Sequence, residues 1–377
     1  MNTNRRSTLK ILGLALALAG LGTSAAANDR EDDDEGFRAG RVFTSTNAAG
    51  ANELLVYAVN QGGGLTLQTR LATQGQGTGS GLGNQGAVTL SGNGRFLFVV
   101  NALSNTVSTF AIRPSGLTLA SNVDSGGQRP ISVAEHDGIV YVLNAGGTGN
   151  VAGYRNMGGT LTPLAGSVRE LSAAGGTGPA QVGFGGDGDV LLVTEKATSK
   201  LTSYRVRRDG RIDAPVVTAS AGMTPFGFAV DRRGNVLVSE AFGGAPNGSA
   251  VSSYTFENWA PGQPIVVSPS VATTQTAACW VVVTPNGRYA YTTNTGSGTI
   301  SSYAVQRAGQ LTLDHGVAAI SGAGPIDAAI SATGRNLFVL NSGDHTISSF
   351  AVGRDGSLTT AGRVAGLPAG SNGLAAN

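Results

Sequence analysis

Residues 284–305, TPNGRYAYTTNTGSGTISSYAV, and residues 331–352, SATGRNLFVLNSGDHTISSFAV, are two copies of one sequence unit. Each copy has a turn glycine, a β-rich run that ends in Asn, a polar loop, and a second β-rich run with a central aromatic residue. The unit recurs seven times from residue 40 onwards, and a repeat of this kind indicates a modular fold in which neighbouring units pack together. The turn glycines are Gly40, Gly94, Gly138, Gly188, Gly234, Gly287 and Gly334.

Each unit predicts four short β-strands. Its runs are rich in β-branched and aromatic residues and are bounded by turn residues, as is typical of strands. A third run follows a further turn, and a fourth run, such as GPIDAAI at 324–330, precedes the turn glycine. Four-stranded units with a period of 44 to 54 residues predict an all-β, seven-bladed β-propeller over residues 40–377.

The two ends of this region predict how the ring closes. The first unit has no fourth run of its own, because residues 28–39, NDREDDDEGFRA, are acidic and lack a strand pattern. The chain instead ends in GLPAGSNGLAAN at 366–377, which resembles the fourth run of the last unit. We therefore expect residues 366–377 to supply the innermost strand of the first blade, which would hide the exposed sheet edges.

The N-terminus has the pattern of a targeting segment. A basic run, RRSTLK at 5–10, precedes an apolar run at 11–22 that is too short for a membrane span, and an Ala-x-Ala site follows. This predicts a signal peptide over 1–27, an acidic disordered leader over 28–39, and a protein exported to the periplasm or the outside of the cell. The basic run resembles a twin-arginine signal, and the general secretory route remains the alternative.

Charge and cysteine content exclude several classes of function. Without the three basic residues of the signal peptide, the chain has 22 basic (25 less 3) and 23 acidic residues. The sequence has no tract of Lys and Arg residues of the kind that would predict nucleic-acid binding. The acidic leader is predicted to be solvated, with a Ca²⁺ site as the alternative. Cys279 is the single cysteine, and we expect it to be buried and unreactive. No metal or other cofactor is expected.

The residue that ends the first β-rich run differs in two neighbouring units. It is Asn in five units but Glu at Glu195 and Glu240, and Glu is a poorer turn-closing residue that carries a charge. Two carboxylates on one rim would be suited to general acid and base catalysis, because proximity separates their pKa values. The alternatives are solvated surface glutamates, or a pair between Glu195 and Lys196. The other units have Asn47, Asn101, Asn144, Asn294 and Asn341.

A second candidate set lies on the innermost strands. Side chains alternate between the two faces of a strand, so the residue two positions after the proline points to the same side of the inner strand in every unit. These residues form one column. We predict that Ser132, Gln181, Trp280 and Asp327 of this column bind a small polar ligand at the channel, and that Arg129 orients its carboxylate or oxyanion. The alternatives are packing between blades for Trp280 and a surface position for Arg129. Gly227 occupies the same column.

Three further segments have simpler interpretations. The glycine-rich stretch 75–86 lacks a phosphate-loop ending and is predicted to be a long loop between blades. The loop 242–248 beside Glu240 is a candidate lid. The three histidines are predicted to be solvated: His136, His315 and His345.

The two quoted units resemble YVTN-type repeats, and the order of elements over residues 40–377 resembles the lactonase-like family of seven-bladed propellers. That family includes 6-phosphogluconolactonases and carboxymuconate cyclases. The resemblance implies hydrolysis or formation of a small lactone at the channel mouth without a metal, with catalytic roles for Glu195, Glu240 and Arg129. Family members often carry His directly after the inner-strand proline. This chain instead has Ile131, Ala180, Phe226, Cys279 and Ile326 there.

Two other functional classes remain open at this point. One is a non-catalytic propeller in the periplasm or outside the cell that binds a ligand or a protein partner. The other is a redox propeller with a bound quinone, although the inner runs have few of the aromatic and basic residues that such a cofactor would need.

The targeting prediction can be tested by expression of the full chain in a bacterium. We expect cleavage after Ala27, so that N-terminal sequencing of the exported protein begins at Asn28. Substitution of both Arg5 and Arg6 by Lys separates the two export routes, because only a twin-arginine signal needs the pair. An uncleaved wild-type protein in the cytoplasm would contradict export by either route.

Overall fold

The computed structural model describes residues 40–256 and 262–377. The predicted signal peptide and acidic leader lie outside the described residues. The described chain is built almost wholly of antiparallel strands, and its one described helical element is a 3-10 turn at Phe242–Gly244. The strands form seven sheets, so the predicted seven-bladed propeller is confirmed.

The strands of the first four blades follow the sequence order, except that the first blade also contains the last strand of the chain, β29 (Asn372–Ala376). The first blade also has β1 (Arg41–Ser45), β2 (Glu53–Val59) and β3 (Leu65–Ala72), and the second has β4 (Val88–Leu90), β5 (Phe96–Asn101), β6 (Thr106–Arg113) and β7 (Gly116–Asp124). The third has β8 (Pro130–His136), β9 (Ile139–Asn144), β10 (Asn150–Met157), β11 (Thr160–Pro163) and the short β12 (Arg169–Glu170). The fourth has β13 (Pro179–Gly185), β14 (Val190–Glu195), β15 (Lys200–Arg205) and β16 (Val216–Ala219).

The remaining three blades each have four consecutive strands. The fifth blade has β17 (Pro225–Val230), β18 (Val236–Glu240), β19 (Ala250–Phe256) and β20 (Pro264–Ala272). The sixth has β21 (Ala278–Val283), β22 (Tyr289–Asn294), β23 (Thr299–Val305) and β24 (Leu311–Ile320). The seventh has β25 (Pro325–Ile330), β26 (Asn336–Asn341), β27 (Thr346–Val352) and β28 (Leu358–Ala365).

The C-terminal strand closes the ring, as the sequence predicts. β29 pairs with β1 in antiparallel register, with Phe43 opposite Ala375 and Ser45 opposite Asn372. The Ser45 hydroxyl donates to the Asn372 carbonyl at 2.9 Å, and the backbone N–H of Arg41 donates to the Asn377 side chain at 2.7 Å. This pairing supplies the innermost strand that the first blade cannot take from its own unit.

The aromatic column joins each blade to the one before it. All seven aromatic side chains are buried, because they lie between neighbouring sheets. Several of the tyrosine hydroxyls among them bind the preceding blade: Tyr154 donates to the Asp124 carbonyl at 2.7 Å, and Tyr303 donates to the Val271 carbonyl at 2.8 Å. A large apolar ring whose polar end has a hydrogen-bond partner therefore recurs at several blade interfaces.

The strand register corrects one position of the repeat. Leu337 pairs with the aromatic Phe350, and Asn341 lies four residues later; in the first blade Val42 pairs with Tyr57, so Thr46 occupies the corresponding place. The prediction that Asn47 belongs to this column is wrong by one residue, because the local letters TSTN do not show which residue faces the aromatic. Asn47 has a φ of 47° and binds the long loop that follows the first blade.

Ring closure predicts a strong effect of C-terminal truncation. Deletion of residues 367–377 would remove β29 together with its buried Leu374 and would expose the edge of β1. We expect the melting temperature to fall by about 10 °C or more, as the loss of several kcal/mol implies. Deletion of residues 28–38, of equal length, is the matched control and should leave the melt unchanged. Equal melting of the intact and C-terminally truncated proteins would contradict closure by β29.

Candidate functional site

The segment before the second blade crosses the channel. The N–H of Gln85 donates to the Ala180 carbonyl in the fourth blade at 3.1 Å, and its side-chain amide donates to the Val281 carbonyl in the sixth blade at 3.1 Å. Because the same segment then enters the second blade, it must pass over the propeller axis to reach these partners. We call residues 82–85 the plug.

Other plug contacts reach the third and sixth blades. The Asn84 side chain donates to the Ile131 carbonyl, and the indole N–H of Trp280 donates to the Asn84 carbonyl at 2.7 Å. Leu82 is buried among the residues of these inner strands. The glycine-rich stretch is thus a loop between blades, as predicted, and its last residues fill the mouth of the channel.

An apolar wall surrounds one side of the plug. Phe226, Cys279 and Trp280 form a buried cluster with Ala180, and the rings of Phe226 and Trp280 lie 4.9 Å apart between their centroids. Phe226 and Cys279 stand at the position directly after the inner-strand proline, or its equivalent. This wall would exclude water from groups that face it.

Lys196 brings a positive charge into this apolar mouth. Its Nζ lies 4.6 Å from the centroid of the Phe226 ring and donates to the Gly83 carbonyl of the plug. Burial lowers the pKa of Lys196 to about 8; the nearby Cys279 opposes this shift and the positive charge of Arg129 adds to it. A lysine with a pKa near neutrality can exchange a proton in catalysis.

The other two groups at the mouth have different properties. Burial raises the pKa of the Cys279 thiol to about 11, so the thiol stays protonated at neutral pH and is a poor nucleophile. Cys279 is buried, as predicted. Arg129 is exposed at the rim with a φ of 54°, and its N–H donates to the Asn105 side chain at 2.7 Å. Its positive charge contributes to the lowered pKa of Lys196, and Arg129 is accessible to a ligand.

Glu195 lies inside the fourth blade rather than on its rim. Its carboxylate is fully buried and accepts hydrogen bonds from the Ser172 N–H at 2.9 Å, the Thr202 hydroxyl at 2.6 Å and the Thr198 hydroxyl at 2.9 Å. The Ser172 hydroxyl is a further donor. The carboxylate therefore has the hydrogen bonds that a buried charge requires.

Glu240 has the corresponding place in the fifth blade. It accepts hydrogen bonds from the Gly222 N–H at 2.8 Å, the Ser252 hydroxyl at 2.5 Å and the Ser270 hydroxyl at 2.7 Å. Burial raises the pKa of Glu240, and these three hydrogen bonds oppose the shift. Asn294, at the corresponding position of the sixth blade, donates to the Thr299 and Ser301 hydroxyls of its own blade. Both glutamates therefore occupy a position whose side chain also joins neighbouring strands in another blade. Their acid–base role stays a prediction.

The inner-strand column binds neighbouring backbone. Gln181 donates to the Phe228 carbonyl at 2.9 Å and accepts from the Phe228 N–H at 2.6 Å in the next blade. Ser132 accepts from the Val182 N–H at 3.2 Å. Asp327 is almost fully buried, and burial raises the pKa of its carboxyl well above the usual range. The structure brings this column together around the channel, and ligand binding by its members stays a prediction.

Lys196 is the residue that sequence reasoning missed as a site residue. It directly follows the strand-end position, where the other units have small or uncharged residues. A single charged residue in that column is a signal that could have identified it. The other units have Asn47, Ala102, Ala145, Ala241, Thr295 and Ser342 there.

The structure also describes the candidate lid and a separate cavity. The candidate lid carries a 3-10 turn, and the Phe242 N–H donates to the Met223 carbonyl at 3.2 Å. On the opposite face, a cavity of about 310 Å³ between the third and fourth blades is lined in part by His136, Arg155 and Phe184. In the described ranges, no cluster of His, Cys, Asp and Glu is suited to a metal ion.

Comparison with known sequences identifies the family of the chain. A family model described as "Lactonase, 7-bladed beta-propeller" matches residues 50–169 and 248–371. No curated protein matches the sequence.

Solved structures share the fold at low identity. The periplasmic gluconolactonase of Pseudomonas aeruginosa is 19% identical, with a TM-score of 0.69 over 88% of this chain and 98% of that chain. A Lactobacillus plantarum protein is 17% identical, with a TM-score of 0.72 over 90% and 99%. A Bacteroides uniformis protein provisionally named a 6-phosphogluconolactonase is 18% identical, with a TM-score of 0.68 over 89% and 98%. At such identities the likeness shows the fold alone.

No helix in the described part of the chain has the length and hydropathy needed to cross a membrane.

The pKa of Lys196 can be measured directly. Residues 28–377 contain two lysines, Lys196 and Lys200, so Lys200→Arg leaves one to observe. After reductive ¹³C-methylation of this variant, we expect the Lys196 methyl signal to titrate near pH 8, because burial disfavours the charged form. Lys196→Arg identifies the signal and separates it from that of the α-amine. Titration near pH 10.4, the ordinary lysine value, would contradict the enclosed position.

Proposed function

Because the chain belongs to the seven-bladed lactonase β-propeller family, we propose that it is an exported enzyme that hydrolyses a small lactone at the plugged mouth of the channel. The observation that carries this proposal is the half-buried amine of Lys196, held by Gly83 against Phe226 and subject to the positive charge of Arg129. Export is supported by the N-terminal sequence pattern. The periplasmic location of one structural relative is a property of that protein and accords with it.

The mouth contains the groups that ester hydrolysis needs. In its neutral form Lys196 takes a proton from water while the water oxygen adds to the lactone carbonyl carbon. The carbonyl oxygen then becomes an oxyanion, which the guanidinium of Arg129 stabilises. When the ring C–O bond breaks, the leaving oxygen receives the proton from the Lys196 ammonium. Lactone and water thus give a hydroxy acid, with no other reactant.

The surroundings support this use of Lys196. One N–H of the amine is bound by the Gly83 carbonyl, which leaves the lone pair of the neutral form free to accept a proton. Phe226 and Trp280 form an apolar wall on which the carbon skeleton of a lactone can rest. The hydroxy acid product carries a carboxylate, which the exposed Arg129 can hold before release.

The second candidate function is a non-catalytic propeller that binds a small carboxylate or a protein. The observation that favours it is the enclosure of both Glu195 and Glu240, which leaves neither of these carboxylates accessible to a ligand at the mouth. Arg129 and Lys196 would then serve only to bind an anion. Turnover distinguishes the two functions.

We expect the purified protein to hydrolyse one or more members of a panel of sugar lactones, muconolactones and simple γ- and δ-lactones, followed with a pH indicator. Lys196→Met should lower kcat by roughly 10²-fold or more, since it removes the base, while Lys200→Met is the matched control. The rate should rise with pH through about 8, because Lys196 must lose its proton first. Saturable binding without turnover would establish the binding propeller instead.

The same assay tests the two carboxylates. If Glu195 or Glu240 acts as acid or base, its substitution by Gln should lower kcat by roughly 10²-fold. Because their hydrogen bonds enclose them, we expect each Gln variant to keep activity within about threefold of the wild type. A large loss of kcat at unchanged melting temperature would instead establish the catalytic role that the sequence predicts.

A further inference from the structure

The plug is fastened mainly through one residue, Gln85. Its side-chain amide donates to the Val281 carbonyl at 3.1 Å, and its side-chain oxygen accepts from the Val281 N–H at 3.4 Å. Its own backbone N–H donates to the Ala180 carbonyl at 3.1 Å. Gln85 is 8% exposed, so it is a buried polar group with three partners in two other blades.

The Gln85 side chain fills a position at which the fifth blade has no side chain of its own. In the third and fourth blades, Ser132 and Gln181 reach the backbone of the next blade. The corresponding residue of the fifth blade is Gly227, which has no side chain to reach Val281. A Cβ on Gly227 would overlap the side-chain oxygen of Gln85, so the plug fills this gap in place of the missing side chain.

The backbone of Gln85 is also distinctive. Four of the inner strands begin with proline, and by its distance from Val88 Gln85 stands at the same position in the second blade. Proline has no N–H, so it could not donate to Ala180 as Gln85 does. Both the side chain and the backbone at this position are therefore suited to holding a segment across the channel. The four prolines are Pro130, Pro179, Pro225 and Pro325.

We propose that Gln85 is a positioning residue for Lys196. Gln85 fixes the plug against the fourth and sixth blades, and the plug carbonyl of Gly83 holds the amine beside Phe226. Gln85 itself touches neither the amine nor the expected place of the substrate. The inference rests on the proposed function, because it identifies the residue that holds the general base of that reaction in place.

The consequence of a loosened plug follows from desolvation. With Gln85 removed, residues 82–85 would no longer be fastened to Val281, and water could reach the amine of Lys196. Because burial is the largest cause of the lowered pKa, hydration would return the pKa towards the ordinary lysine value of about 10.4. A smaller fraction of the amine would then be neutral at pH 8.

The experiment is the ¹³C-methyl titration of Lys196 in the Lys200→Arg protein, with Gln85→Ala added. We expect the midpoint to rise from about 8 towards the ordinary lysine value of about 10.4, and the pH dependence of kcat/KM to move with it. Gly227→Ala is the second variant: its Cβ would overlap the Gln85 side-chain oxygen and also crowd the Cys279 carbonyl, so it displaces Gln85 while leaving that residue in place, and it should move the midpoint in the same direction. An unchanged midpoint in a folded variant would overturn the proposal.

Gln181→Ala is the matched control. It removes the same type of side chain and the same pair of backbone hydrogen bonds, but from the wall of the channel rather than from the plug. We expect it to lower the melting temperature and to leave the midpoint at about 8. An equal change of midpoint in this control would show that any loosening of the blades acts on Lys196, and would overturn a specific role for Gln85.

The remaining outcomes are also informative. If neither Gln85→Ala nor Gly227→Ala folds, the plug is an element of the fold and the positioning role is overturned. If the midpoint moves as expected but no lactone is hydrolysed, the positioning of Lys196 stands and the proposed enzymatic function fails. The titration needs no substrate, so the two failures can be told apart.

Discussion

The pairing of β29 with β1 is the interaction on which the rest of the structure depends. The seven sheets form a closed ring around one axis because the first sheet receives its innermost strand from the other end of the chain. Once the ring is closed, the starts of all inner strands face the same mouth. Residues far apart in sequence, such as Lys196 and Gly83, can then meet there.

Closure creates a second constraint at the axis. The innermost strands have no further strand to pair with on their inner side, so their backbone N–H and C=O groups need other partners. Side chains of Ser132 and Gln181 supply them between some blades, and the plug supplies them where Gly227 cannot. The plug thus resolves a hydrogen-bonding problem that the ring itself produces, and in doing so it forms the floor of the mouth.

The charged groups near this mouth have two opposite kinds of surroundings. Glu195 and Glu240 are surrounded by hydroxyl and N–H donors, which is how a buried carboxylate is stabilised. Lys196 instead has the face of the Phe226 ring and the Gly83 carbonyl to stabilise its charge. Burial, with a smaller contribution from the positive charge of Arg129, outweighs these contacts and lowers its pKa. The lysine is therefore the group at the mouth whose pKa is lowered towards neutrality, and we assign the proposed chemistry to it rather than to the carboxylates.

The sequence by itself determined the blade number, the strand pattern, the closure by residues 366–377 and the burial of Cys279. These depend on period-two alternation, turn glycines and composition, which are local properties of the chain. Only the tertiary structure decided that Thr46 and not Asn47 ends the first column, because register depends on which residue pairs with Tyr57. It also decided that Gln85 replaces the side chain missing at Gly227 and that Lys196 faces Phe226. Such contacts join blades across the axis, and no local pattern specifies which strand starts meet when the ring closes.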